Sequence, residues 1–181
     1  MKIRSWQKNI LILFDVWLRA RLSGFEAIAK EKSDVGVFYT ITAPSKYHST
    51  LAKPCIPNPK YQGASPRDTH EYLNNVWKLI RAKLSNLKIK VYGVRVAEPH
   101  RDGTPHWHIL LFMKPTEVKK VIDTIYKYAL AEDGDEAGAK QSRVKVEYID
   151  PKKGSAVGYI AKYISKNIDG AHVGADHYGL R

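Results

Sequence analysis

The stretch Glu98–Phe112, EPHRDGTPHWHILLF, decides how this chain folds. In an extended strand successive side chains alternate faces. His106 and His108 therefore share one face, and Trp107 takes the other. Ile109, Leu110, Leu111 and Phe112 continue with apolar residues on both faces, the pattern of a central strand covered on both sides. Two imidazoles on one strand face begin a metal site. Val91–Glu98 (VYGVRVAE) reads as a preceding strand, and the loop Pro99–Pro105 contains the turn dipeptide Asp102-Gly103. A hairpin of these two strands returns Glu98 across from His106. Cross-strand Cβ atoms sit roughly 5 Å apart, so one divalent ion can bridge Glu98, His106 and His108. His100 is an alternative third ligand. Glu98 is preferred because it ends a strand, whereas His100 falls in the turn. The competing reading is a half-buried His-x-His on a sheet edge with an ordinary strand-end carboxylate.

Composition narrows the partner. The 181 residues fit one domain with a real core. Thirty Lys and Arg against 18 Asp and Glu leave a formal charge of +12, with a pI near 9.7. That balance calls for an anionic partner, nucleic acid first and a membrane surface second. The lone Cys55 excludes a disulfide framework and points to a reducing compartment. Asn9–Leu18 is too short and too interrupted to span a bilayer, and no secretory cleavage site follows it. A cytoplasmic protein without a membrane segment is expected.

Ser5–Glu31 reads as one or two helices, broken near Ser23-Gly24, forming an extension over residues 1–34. Val35–Thr42 (VGVFYTIT) is β-branched and aromatic, hence a strand. Ala43–Arg67 holds Pro44, Pro54, Pro57, Pro59 and Pro66, which exclude regular structure. Lys46, Tyr47, His48, Lys53 and Lys60 lie in this loop. Interleaved cations and rings suit single-stranded nucleic acid, although a solvated loop has the same composition. Arg101, in the hairpin turn, joins them as a DNA-binding candidate. Helices are expected over Asp68–Ser85, Thr116–Ala131 and Ser155–Ile168, a polar loop over Glu132–Ser142, and a strand over Arg143–Ile149. The order is that of a split βαβ, ferredoxin-like α+β fold: an antiparallel sheet packed against helices over residues 35–181, with the N-terminal helical addition.

Ser155–Ile168 reads SAVGYIAKYISKNI. Residues three and four apart share a helix face, so Tyr159, Lys162, Tyr163 and Lys166 line one side. A tyrosine serves as nucleophile when its phenolate is stabilised, and a metal that polarises the electrophile aids it. Lys162 and Lys166 could stabilise the phenolate or simply contact phosphate. A surface tyrosine pair with snorkelling lysines is the alternative.

Taken together, these segments resemble the HUH endonuclease superfamily, and within it the two-tyrosine rolling-circle initiators of the bacteriophage replication gene A protein family. Phe38-Tyr39-Thr40-Ile41-Thr42-Ala43-Pro44-Ser45 is similar to the family's first strand motif. Glu98–His108 is similar to its metal motif, and Tyr159–Lys166 to its catalytic helix. The resemblance implies a palm-like sheet with the histidines on a central strand. It implies a Mg²⁺- or Mn²⁺-dependent nick in single-stranded origin DNA, a 5′-phosphotyrosine link to one tyrosine, and a second tyrosine for the terminating strand transfer. It implies host helicase and polymerase partners in a bacterial cytoplasm, and, since such initiators are longer, a chain that is one nuclease domain of a larger protein. The ligands themselves would equally hold Zn²⁺ or non-haem iron.

Three rivals stand beside this reading. The strand order also fits an RNA-recognition module stacking bases on Tyr39, Tyr92 and Trp107; Trp107 argues against it by sharing its face with Ile109 and Leu111. A histidine-based phosphoesterase would need a third alternating histidine, where Leu110 stands. A plasmid relaxase or a transposase of the same superfamily often uses one tyrosine, whereas two are present here.

Overall fold

The structure is a computed structural model that describes residues 5–51, 56–149, 155, 158 and 160. Helix α1 (Ser5–Lys32) leads into strand β1 (Val35–Ile41). Helix α2 (Pro66–Asn86), the hairpin β2 (Tyr92–Pro99) and β3 (Pro105–Met113), and helix α3 (Val118–Ala129) follow. The short helix α4 (Ala139–Ser142) and strand β4 (Val144–Tyr148) complete the sheet. The strand order is β2-β3-β1-β4, and every neighbouring pair is antiparallel. This is the α+β, ferredoxin-like arrangement that the sequence predicts.

β3 is central, and its residues are buried from His106 to Met113, as its two-faced apolar pattern requires. One face carries Trp107, Ile109, Leu111 and Met113 against α2 and α3. Leu73, Val76, Ile80 and Leu84 recur every three or four residues and are the buried stripe of α2. Val121 and Ile125 do the same for α3. The other face carries Phe38, Leu110 and Phe112 under Leu18, Leu22 and Ala29 of α1, and Ile160 joins this cluster. Each fully buried Leu or Ile side chain contributes about 1.5–3 kcal/mol, so both faces of the sheet are paid sites of stability.

Three local readings are corrected. α1 runs through Ser23-Gly24 without a break. A mid-helix glycine costs only about 1 kcal/mol, and Leu22, Phe25 and Ala29 on either side pack on the sheet. α2 begins at Pro66, two residues before the expected start, because proline is well placed at a first helical position. Ser65 and Asp68 cap it reciprocally: Ser65 Oγ accepts from the Asp68 N–H at 3.2 Å, and Asp68 Oδ2 accepts from the Ser65 N–H at 2.8 Å. The proline-rich loop is also less irregular than expected, with a 3-10 turn over Ser45–Tyr47 and a bridge between Thr50 and Pro57. Gly93 is a position that only glycine fits. Its φ is +153°, and a Cβ there would lie 1.9 Å from the Leu110 carbonyl oxygen of the neighbouring strand.

Candidate metal centre

The β2–β3 register pairs Glu98 directly with His106, and Val96 with His108. Since His106 and His108 share a face, the Glu98 carboxylate reaches both rings. Glu98 Oε2 lies 2.6 Å from His108 Nε2 and 3.6 Å from His106 Nε2. The three candidate ligand atoms all lie within 4.8 Å of one another, and all three residues are buried. Two imidazoles and one carboxylate converging at this spacing fit a divalent cation. Burial strengthens the case, because histidines and a carboxylate seldom share a buried space without an ion or a proton to hold them. Glu98 is the carboxylate brought together with the two histidines, and the His100 ring also lies beside His106.

The cluster is oriented from behind. Thr40 on β1 pairs across the sheet with His108, and its Oγ1 lies 3.1 Å from His108 Nδ1. The Phe38 ring stacks on His108 with centroids 5.6 Å apart and an interplanar angle of 17°. With a cation at Nε2, Nδ1–H would donate to Thr40 Oγ1. Such a bond sets the tautomer and the ring plane of a ligating histidine.

A second group of side chains lies alongside. His100 packs its ring on His106, centroids 4.0 Å apart, and meets His48 edge-on at 5.1 Å. Burial, with the neighbouring His48, pushes the His100 pKa below the usual imidazole value, which keeps the ring neutral. His48 Nδ1 lies 3.3 Å from Asp102 Oδ2. Burial of Asp102 opposes its charge, but the bonds from His48 and from the Thr104 N–H outweigh it and hold the carboxyl well below the usual carboxylate range. Thr104 Oγ1 also donates to the Tyr47 carbonyl at 3.3 Å. The long loop is thereby fastened to the hairpin turn beside the histidines.

The remaining candidates divide. Lys46 pairs with Glu132 at 2.7 Å and Asp133 at 3.0 Å, and Lys60 with Glu136 at 2.8 Å. Tyr47 packs on Tyr72 with centroids 4.9 Å apart. Arg101 is exposed at the turn. Lys53, Tyr159, Lys162, Tyr163 and Lys166 lie outside the described residues. Nearby, Ser155 Oγ accepts from the Gly158 N–H at 3.1 Å, the bond of a helix N-cap. Ile160 is fully buried on the same sheet face as Phe38 and Leu110. Sequence reasoning missed Thr40 as a partner of His108, although it stands in the quoted first strand motif. It also missed the Asp102 link and the acidic residues that pair with Lys46 and Lys60. These depend on register and loop packing, for which no local signal exists.

Comparison with known proteins adds the family. Residues 16–171 match the family described as bacteriophage replication gene A protein (GPA). The chain is 56% identical over 156 residues to the replication gene A protein of Escherichia phage 186, covering 84% of this chain and 22% of that protein. It is 46% identical over 171 residues to a replication protein of Haemophilus phage HP1, covering 87% of this chain and 21% of the relative. It is 46% identical over 154 residues to a probable replication endonuclease from a prophage-like region of Salmonella paratyphi A, covering 84% and 19%. The chain thus spans about a fifth of the length of these relatives. No solved structure matches. The match over residues 16–171 contains the whole sheet and the Glu98, His106 and His108 cluster, and by it the chain belongs to the bacteriophage replication gene A protein family.

Proposed function

We propose that this chain is an origin-nicking endonuclease domain of the HUH type, which cleaves single-stranded DNA and remains linked to its 5′ end. The observation that carries the reading is the buried Glu98–His106–His108 cluster on edge strand β2 and central strand β3, found in a chain whose relatives include a protein named as a probable replication endonuclease. Replication initiation in a phage or prophage, and a rolling-circle course, follow from that reading together with the family.

A bound Mg²⁺ or Mn²⁺ would supply charge neutralisation at the scissile phosphate. Glu98, His106 and His108 would hold it, and Thr40 would keep His108 in the ligating tautomer. Tyr159 or Tyr163 attacks the phosphorus through its phenol oxygen. The new bond is P–O of the tyrosine. The bond to the 3′ oxygen breaks, and that oxygen leaves as a 3′-hydroxyl after taking up a proton. Lys162 and Lys166, one helical turn apart, stabilise the phenolate or the transition-state charge. The second tyrosine performs the later strand transfer, when the first is still esterified. The burial of Ile160 on the histidine face supports a helix of this sequence beside the cluster.

The RNA-recognition alternative loses its stacking platform, since Tyr39 and Trp107 are buried in the core. The test is covalent capture. With Mn²⁺ and origin-derived single strands, at least one of Tyr159→Phe and Tyr163→Phe retains an adduct that survives a denaturing gel, and the double variant forms none. An adduct from the double variant would place the nucleophile elsewhere.

A further inference from the structure

We infer a second nucleic-acid site, a basic groove that takes the phosphate backbones of duplex DNA at the end of the sheet opposite the histidine cluster. The inference extends the proposed nicking function by naming where the flanking duplex would lie. The groove is a cavity of about 1180 Å³ between α1 and α2, floored by the start of β2. Lys32, Lys78, Arg81, Lys88, Lys90 and Lys114 line it, and all six are exposed. None of the six forms an ion pair with an acidic residue among the described residues, whereas Lys46 and Lys60 in the long loop do. The two acids on its wall are Asp34, which accepts the Tyr92 hydroxyl at 2.9 Å, and Glu117. Six cations without an acidic ion-pair partner among the described residues therefore share this groove, away from the loop that composition singles out. Arg81 also depresses the pKa of the nearby Arg95, after burial of that side chain, so positive potential extends past the groove.

The rings of the groove decide between duplex and single strand. Single-strand sites need free aromatic faces for base stacking. Tyr92 is stacked on Phe112 with centroids 5.6 Å apart and meets Phe25 at 5.8 Å, and its hydroxyl is tied to Asp34. Lys32 Nζ lies 5.8 Å from the Tyr92 centroid and the Arg21 guanidinium 5.7 Å from that of Phe25, so both rings are already engaged. What remains is an array of cations on flexible stems, which suits backbone contacts without base readout. Lys114 lies eight residues along the chain from His106, about 26 Å at roughly 3.3 Å per extended residue. That span corresponds to about eight base pairs of duplex at about 3.4 Å each.

The test compares Lys78→Gln/Arg81→Gln/Lys90→Gln with a charge-matched control, Lys120→Gln/Lys127→Gln/Lys140→Gln, by fluorescence anisotropy over a salt series. The probes are a 30-base-pair duplex and a 30-nucleotide single strand of mixed sequence, without added divalent metal. Three lost phosphate contacts flatten the log K against log salt slope for duplex by about 2–3. The groove variant is expected to show that change and to bind the duplex at least about tenfold more weakly near 0.1 M salt, with single-strand binding changed less than about threefold. Equal effects of the two triple variants on duplex binding would overturn the site. An equal loss on the single strand would overturn its assignment to duplex. Neither readout depends on cleavage, so a failure of the covalent-capture experiment would leave this result standing, and the reverse also holds.

Discussion

Thr40→Val isolates the orientation of His108 from its presence. Valine keeps the shape and the strand preference of threonine, so β1 and its pairing with β3 are preserved. What is lost is the single contact of 3.1 Å between Oγ1 and His108 Nδ1. His108 is 3% exposed, so water does not readily replace it. Leaving a buried donor unsatisfied costs about 1–3 kcal/mol, and removing an outer partner of a ligating histidine lowers metal affinity about 10–100-fold. The two figures agree, because about 1.4 kcal/mol is a factor of ten. With Mn²⁺ fixed at about 100 times the parent's Kd, binding stabilises the parent by about 2.7 kcal/mol. The same concentration should stabilise Thr40→Val by only about 0.4–1.4 kcal/mol. Urea unfolding with and without Mn²⁺ measures both, and calorimetric titration gives the Kd directly. A variant whose metal-free stability falls while its Mn²⁺ increment stays near that of the parent would refute the reasoning, since Thr40 would then serve only the packing.

Replacing either His106 or His108 with Ala should abolish Mn²⁺-dependent nicking while circular dichroism stays unchanged; full activity of either variant in EDTA would remove the metal from the reaction. Gly93→Ala should lower stability by about 2–4 kcal/mol, read as an earlier urea midpoint, because its Cβ would press into the Leu110 carbonyl at 1.9 Å. Asp102→Asn should destabilise the parent fold by about 1–3 kcal/mol at pH 7 through the charged bonds to His48 and Thr104. The sign follows from the lowered folded-state pKa. The stabilisation is present above the unfolded carboxylate's pKa of about 4 and is lost as pH falls below it toward the folded value, so the gap between parent and variant should close on acidification. A gap that is constant from pH 7 to pH 3 would assign the effect to packing.

Periodicity by itself determined the elements that matter most. The alternation at His106-Trp107-His108 and the apolar run to Phe112 were enough to place a central strand with two histidines on one side, because strand period is a local property of the backbone. The Asp102-Gly103 turn likewise returned Glu98 to His106, since a short hairpin loop limits the register it can join. The apolar stripes of α2 and α3 were legible for the same local reason. Tertiary structure decided the rest. Thr40 meets His108 only because β1 is inserted beside β3, a contact between residues 68 positions apart, and no periodic signal reports which strands become neighbours. The unbroken α1 reflects packing of Leu22 and Phe25 against the sheet, which outweighs the intrinsic cost of Gly24. Charge shows the same division: the composition announced an excess of cations, but ion pairs to Glu132, Asp133 and Glu136 neutralise Lys46 and Lys60 in the loop. Six cations without an ion pair among the described residues instead share the groove between α1 and α2, because Coulomb energy depends on distances in space that only the folded chain sets.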